Sequence, residues 1–121
     1  HASAVEVTPA DTAYLDRVRV AIEGNLGNGS FGVAELAREV AQDRSHLYRR
    51  LQTLLGRTPT DVIRSVRMER AAQLLAGRAG SVAEIAYAVG FNSVSYFCRC
   101  FRDQYGTTPA SYKAGAPTPR A

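Results

Sequence analysis

The sequence has no tryptophan, one methionine, two cysteines, two histidines and a single lysine among 121 residues. Each scarcity excludes something. Cys98 and Cys100 stand two positions apart, so on a helix their side chains point roughly 200° apart and can neither bridge nor chelate together. Only His1 and His46 could add imidazole ligands, which leaves neither a metal site nor a cofactor to expect. No paired carboxylates, Ser/His/Asp set, Cys/His pair or phosphate loop stands at usable spacing, so the chain is not expected to be an enzyme. No apolar run approaches the roughly 20 residues that span a bilayer, and no signal-peptide pattern opens the chain. A cytoplasmic domain without membrane contact is expected, where thiols stay reduced. No alternating strand pattern occurs, which leaves an all-α fold.

What is abundant is arginine. Fourteen of the fifteen basic residues are Arg, Lys113 being the exception, and seven of them lie between Arg44 and Arg70. The net charge of +4 is unevenly spread: residues 1–43 carry −4 and residues 44–121 carry +8. Arginine binds phosphate and guanine edges bidentately, which lysine matches less well. Charge alone leaves nucleic acid and a merely solvated helical surface both open. An apolar content of 45% and five prolines mark a globular chain. Its length suits one domain, or two small ones sharing a core, without disulfide or metal support.

Cap signals divide the chain into short helices. Thr8-Pro9-Ala10-Asp11 supplies an N-cap, a proline at N1 and an acid at N3, followed by Leu15, Val18, Ile22 and Leu26 as an expected buried stripe. Glycines and asparagines over 24–29 end that helix. A second helix begins at Gly32, with Glu35 at N3, Phe31 stapled onto Leu36, and Val33, Leu36, Ala37 and Val40 inward. Asp43 caps a third helix with Leu47, Leu51 and Leu54 on its inner face, ended by Gly56. Thr58-Pro59-Thr60-Asp61 opens a longer helix to about Ala76, in which Val62, Ile63, Val66, Ala71, Leu74 and Leu75 form the buried stripe. On that helix Arg64, Arg67 and Arg70 are expected to be solvated or paired with Asp61 and Glu69.

The pattern then returns. Val82-Ala83-Glu84-Ile85-Ala86 mirrors Val33-Ala34-Glu35-Leu36-Ala37 at an offset of 49. After a turn one residue longer, Phe97 and Phe101 match Leu47 and Leu51 at an offset of 50, as do Gly106, Thr108 and Pro109 with Gly56, Thr58 and Pro59. Ser81 opens the repeat as a capping box, Asn92 or Ser93 caps its second helix, and a last short helix runs from Pro109 to about Lys113. Tyr96, Phe97 and Phe101 are expected in the core. The repeated unit has what a helix-turn-helix requires: a bracing helix, a tight turn at Ala41 or Gly90, and a capped second helix with a polar or small outer face. Those outer faces are Arg44, Ser45, Tyr48 and Arg49 in the first unit, and Val94, Ser95, Cys98 and Arg99 in the second. A long helix of about 27 Å between the units could hold two recognition helices near one DNA turn apart.

The second half resembles a known signature. Leu74-Leu75, the run from Ile85 to Ser93, Tyr96-Phe97-Cys98-Arg99-Cys100-Phe101 and the run from Tyr105 to Tyr112 look like the AraC/XylS transcription regulators of bacteria. The resemblance covers about residues 11–113. It implies seven helices, two helix-turn-helix subdomains joined by a linker helix, and contacts in adjacent major grooves of double-stranded DNA. By position it implies Arg44, Ser45, Tyr48 and Arg49 as one reading set and Val94, Ser95, Cys98 and Arg99 as the other. Arg102 becomes a backbone contact, Ser93 joins the second set at its cap, and His46 is a base contact or a packing or capping group. Two positions depart from the pattern: Ala41 replaces the glycine common in the first turn, and Cys98 takes a slot often held by Ser or Thr.

The run from Tyr14 to Val18, that from Ile22 to Asn28 and that from Phe31 to Ala37 further resemble output domains of two-component systems. That likeness implies a covalently linked sensor or receiver outside this chain, dimerisation through such regions, and action by recruiting or blocking RNA polymerase. A free-standing small regulator of the same family is the alternative, and an all-α protein-interaction module the competitor of a different class. The expected layout is a disordered or expression-derived lead over 1–7, subdomains over 8–57 and 78–114, a linker helix over 58–77 and a flexible tail over 115–121.

Overall fold

A computed structural model describes residues 7–115. Residues 1–6 and 116–121, which hold most of the expected lead and tail, lie outside the described residues. Among the described residues there are seven helices and no strand: α1 Pro9–Glu23, α2 Val33–Glu39, α3 Arg44–Leu55, α4 Pro59–Ala76, α5 Val82–Ala88, α6 Val94–Tyr105 and α7 Pro109–Lys113. The helices start where the caps predict. Side-chain oxygens of Thr8, Asp43, Thr58, Ser81, Ser93 and Thr108 each accept the backbone N–H three residues on, at 2.7–3.1 Å. Each satisfies one of the donors that a helix start leaves without an intrahelical partner.

Capping carries a pH signature. Hydrogen bonds from Thr8, Gly32, His46 and Ser81 hold the Asp11, Glu35, Asp43 and Glu84 carboxyls below their ordinary values of 3.8 for Asp and 4.5 for Glu. A carboxylate whose folded value is depressed stabilises the fold above its unfolded value and loses that contribution as pH falls through the folded one. The melting temperature should therefore hold steady from pH 7 to about 5 and decline below about 4. Thermal melts by circular dichroism across pH 2–7 check this; a flat profile down to pH 3 would contradict it.

The chain divides into two compact units. One takes the described residues up to Asn25 together with Phe31–Arg64; the other takes Leu26–Ser30 and the described residues from Ser65 onward. In the first unit the buried side chains include Tyr14, Val18 and Ile22 of α1, Leu36 and Ala37 of α2, Leu47 and Leu51 of α3, and Val62 and Ile63 of α4. Tyr14, not Leu15, completes the α1 stripe: Tyr14 is buried and Leu15 only half-buried. The reason is polar as well as apolar. The Tyr14 hydroxyl donates to Gln42 Oε1 at 2.6 Å, and the Arg50 guanidinium lies 4.0 Å from its ring centroid while also pairing with Asp11 at 3.3 Å. A buried tyrosine finds a partner for its hydroxyl and stacks a cation, which leucine cannot do. Leu54, expected inward, is likewise half-buried.

In the second unit the core joins Met68, Ala71, Ala72 and Leu75 of α4 to Ile85, Ala86 and Val89 and to Phe91, Phe97 and Phe101. The rings form a ladder, with Phe97 5.3 Å from Phe91 and 6.0 Å from Phe101, and Phe101 4.7 Å from Tyr105 and 5.3 Å from Tyr112. Two expectations fail here. Tyr96 is exposed, tilted against Phe91 at 5.8 Å, because the inner face of a helix recurs at three to four residues and Phe97 and Phe101 already occupy it. The expectation of a solvated Arg67 fails as well: it is 6% exposed. Its guanidinium donates to the carbonyls of Val89 at 2.6 Å, Leu26 at 2.7 Å and Asn28 at 3.1 Å. Arg64 does bond Asp61, as expected, and exposed Arg70 donates to Gln73.

The two turns open in the same way, the second being one residue longer. Val40 and Val89 have matching backbone angles, φ −99° ψ 13° and φ −97° ψ 14°. Gln42 N–H donates to Ala37 O and Phe91 N–H to Ala86 O, both at 2.9 Å, closing the helix end over a left-handed residue as in a Schellman motif. That residue is Gly90 at φ 93° in one turn and Ala41 at φ 57° in the other. A left-handed conformation costs a residue with a Cβ about 1–2 kcal/mol, partly offset by the greater unfolded freedom of glycine. Ala41→Gly should thus raise stability by about 0.5–1 kcal/mol, read as a higher urea midpoint with an unchanged slope.

Candidate nucleic-acid interface

Helices α3 and α6 are each twelve residues long, and each follows a seven-residue helix and the tight turn just described. Both bury one stripe, Leu47 and Leu51 in α3, Phe97 and Phe101 in α6. Both therefore present the opposite face outward. On α3, Arg44, Ser45, His46, Tyr48 and Arg49 are all exposed. On α6, Ser95, Arg99 and Arg102 are exposed, as is the cap Ser93, whereas Val94 and Cys98 are half-buried and pack against the core. The second outward face is thus narrower in reach than the first.

Local contacts orient some of these groups. The Asp43 carboxylate accepts the His46 backbone N–H at 2.7 Å and lies 2.9 Å from His46 Nδ1. His46 is accordingly a partner of the cap as well as a member of the exposed face. The Arg99 guanidinium sits 5.5 Å from the Tyr96 ring centroid. A cation over a ring at that distance gains about 0.5–1 kcal/mol at an exposed site. Cys98 and Cys100 are free thiols on α6. Among the described residues no cluster of His, Cys, Asp and Glu could hold a metal ion, and no helix is long and apolar enough to cross a membrane.

Each outward face borders a groove. The first is lined by Arg44, Ser45, Tyr48 and Arg49 together with Thr58 and Thr60. The second is lined by Ser95, Cys98, Arg99 and Arg102 together with Asp103 and Thr108. Ser45 and Ser95, Tyr48 and Cys98, Arg49 and Arg99, and Thr58 and Thr108 stand 50 positions apart, so the two grooves are lined by equivalent positions of the repeat. Sequence reasoning passed over Thr58, Thr60, Asp103 and Thr108 as site residues. The repeated Thr-Pro start was the available signal, though it registers first as a helix cap.

A family profile described as a helix-turn-helix domain matches residues 36–115. The chain belongs to the AraC-type helix-turn-helix family. Transcriptional activator RhrA of Rhizobium meliloti is 35% identical over 114 residues, a match covering 88% of this chain and 35% of that protein. Histidine kinase P4 of Formosa agariphila is 31% identical over 111 residues, covering 92% of this chain and 8% of that protein. Among solved structures, the DNA-binding domain of AdpA, a global transcriptional factor held in complex with a target DNA, superposes with a TM-score of 0.74 at 32% identity, covering 84% of this chain and 90% of that one. The chain thus spans about a third of one of these curated relatives and less than a tenth of the other.

Membership makes this chain a DNA-binding transcription regulator domain of AraC type and not an enzyme. The seven helices, with no strand among the described residues, agree with the family architecture.

Proposed function

We propose that this AraC-type domain reads a bipartite site, inserting α3 and α6 into adjacent major grooves of double-stranded DNA. The observation that carries the reading is the recurrence of one groove, with serine, arginine and threonine at the same 50-residue spacing, in both compact units. In this reading Arg44, Ser45, Tyr48 and Arg49, with His46 at the cap, meet the first block. Ser93, Val94, Ser95, Cys98 and Arg99 meet the second, with Arg102 on the backbone. Arg49 and Arg99 are the guanine contacts, each worth about 1–3 kcal/mol of discrimination when bidentate.

The domain serves as the output module of a larger signal-responsive regulator, with a sensor or receiver linked to it and dimerisation through those regions. Occupancy of the site then recruits or blocks RNA polymerase. A histidine kinase of which this chain matches 8% supports the linked-sensor arrangement, since so small a share leaves the rest of that protein for other modules.

Selection of bound duplexes from a randomised pool tests the reading. Two short enriched blocks about one helical turn apart are expected, with Arg49→Ala relaxing preference in one block and Arg99→Ala in the other. Binding should weaken with salt at a log–log slope near −0.9 per phosphate neutralised. A single enriched block would restrict base reading to one helix. A flat salt response would remove the DNA-facing assignment of both.

A further inference from the structure

The turn between α5 and α6 sets how α6 presents its outward face, and one side chain of α4 holds that turn. Val89 is the C-cap of α5, and its carbonyl accepts Arg67 Nη1 at 2.6 Å. The same Nη1 donates to Leu26 O at 2.7 Å, and Nη2 to Asn28 O at 3.1 Å. Two stretches remote in sequence are thereby clamped by one planar group: Leu26–Ser30, which clusters with the second unit, and the turn itself. The fit is close from both sides. A Cβ on Gly90 would come within 2.7 Å of Arg67 Cζ, and one on Gly29 within 3.0 Å of Asn92 Oδ1 and 3.2 Å of Gly90 O. Asn92 directly precedes Ser93, the N-cap of α6.

We propose that Arg67 is a positioning residue for the second reading helix: by bonding Val89 O together with Leu26 O and Asn28 O, it fixes the α5–α6 turn and hence the register at which Ser95, Arg99 and Arg102 meet DNA. The proposal rests on the reading that α6 faces DNA. A planar fork with five donors reaches several carbonyls in fixed directions, whereas a lysine ammonium is a single point on a flexible stem. Arg67→Lys therefore keeps the charge while releasing the geometry. A side chain that only stabilised the fold would reduce the active fraction and weaken binding to all sequences by one common factor. A positioning side chain instead changes discrimination in one block.

The test measures competition binding of the wild type, Arg67→Lys and Gly29→Ala against duplexes substituted in either block, with concentrations corrected for active protein. The α6 block is identified as the one that Arg99→Ala relaxes. Arg67→Lys is expected to reduce discrimination there about tenfold, the factor carried by one bidentate base contact, and to leave the α3 block within about twofold. Gly29→Ala presses on the same turn with Arg67 in place and is expected to act on the same block. If Arg67→Lys does not fold, Gly29→Ala alone decides. Unchanged discrimination in both blocks, or an equal loss in both, overturns the positioning role. A wild type without sequence preference instead overturns the parent reading, and this one with it.

Discussion

Gly90→Ala should lower the stability of the domain by about 2–5 kcal/mol, because two independent costs fall on one methyl group. The first is conformational. Gly90 sits at φ 93°, outside the left-handed well that Ala41 occupies at φ 57°, so a Cβ there bears the full cost of about 1–2 kcal/mol. The second is steric. The added carbon would overlap Arg67 Nη1 and the Leu26 carbonyl oxygen, and overpacking of a filled site costs about 1–3 kcal/mol. Arg67 can yield only by releasing carbonyls that it now satisfies. Against a typical total of about 5–15 kcal/mol, such a loss unfolds an appreciable fraction of the protein at physiological temperature. Gly56→Ala is the internal control: Gly56 has φ 67° but nothing within 4 Å of the added carbon, so it should show the conformational cost alone. Urea unfolding of both variants checks the argument, and equal losses would mean that the Arg67 contact does not crowd Gly90.

Phe97→Ala should cost about 3–5 kcal/mol, the range for removing a fully buried aromatic side chain. Phe97 is 0% exposed, ringed by Phe91 and Phe101 and packed in the core that joins α4, α5 and α6. The rings cannot all collapse into the space it leaves, because Phe101 is itself held by Tyr105 and Tyr112. DNA affinity should fall with the folded fraction, since the face opposite Phe97 is the one presented outward. Tyr96→Ala, one position away and exposed, should change stability by less than about 1 kcal/mol. If α6 reads DNA as proposed, its effect falls on binding, through the loss of the ring beside Arg99. Chemical unfolding of the two variants checks the contrast, and a comparable loss in both would place the core on the wrong face of α6.

Much of the fold and of the candidate site is legible in the residues alone. Helix starts and ends, the 49- and 50-residue offsets, the cap at Asp43 and the outward faces of α3 and α6 all depend on neighbours within a few positions. Capping, proline placement and helical periodicity are local physics, so the chain states them directly. The class of partner is legible for a related reason. Arginine at the exposed positions of a duplicated helix-turn-helix leaves few other surfaces to meet.

The misses share one cause. Tyr14 displaces Leu15 from the core because Gln42 and Arg50, 28 and 36 positions away, complete its hydroxyl and ring. Arg67 lies inside because Leu26, Asn28 and Val89 converge on it, each more than twenty positions distant. A cation in a helical stripe reads as solvated unless the carbonyls that will receive it can be seen, and no periodicity announces them. Val94 and Cys98 turn partly inward for the same reason: they meet the core assembled around α4.

By itself, then, the sequence determined an all-helical, duplicated helix-turn-helix chain with two outward-facing second helices, since each of those features is fixed by contacts between near neighbours. Tertiary structure decided which polar groups are buried, which turn must be glycine, and that Leu26–Ser30 is held by Arg67 beside the second turn. Those outcomes depend on where distant carbonyls and rings converge, and burial of a charge is favourable only when such partners are already in place.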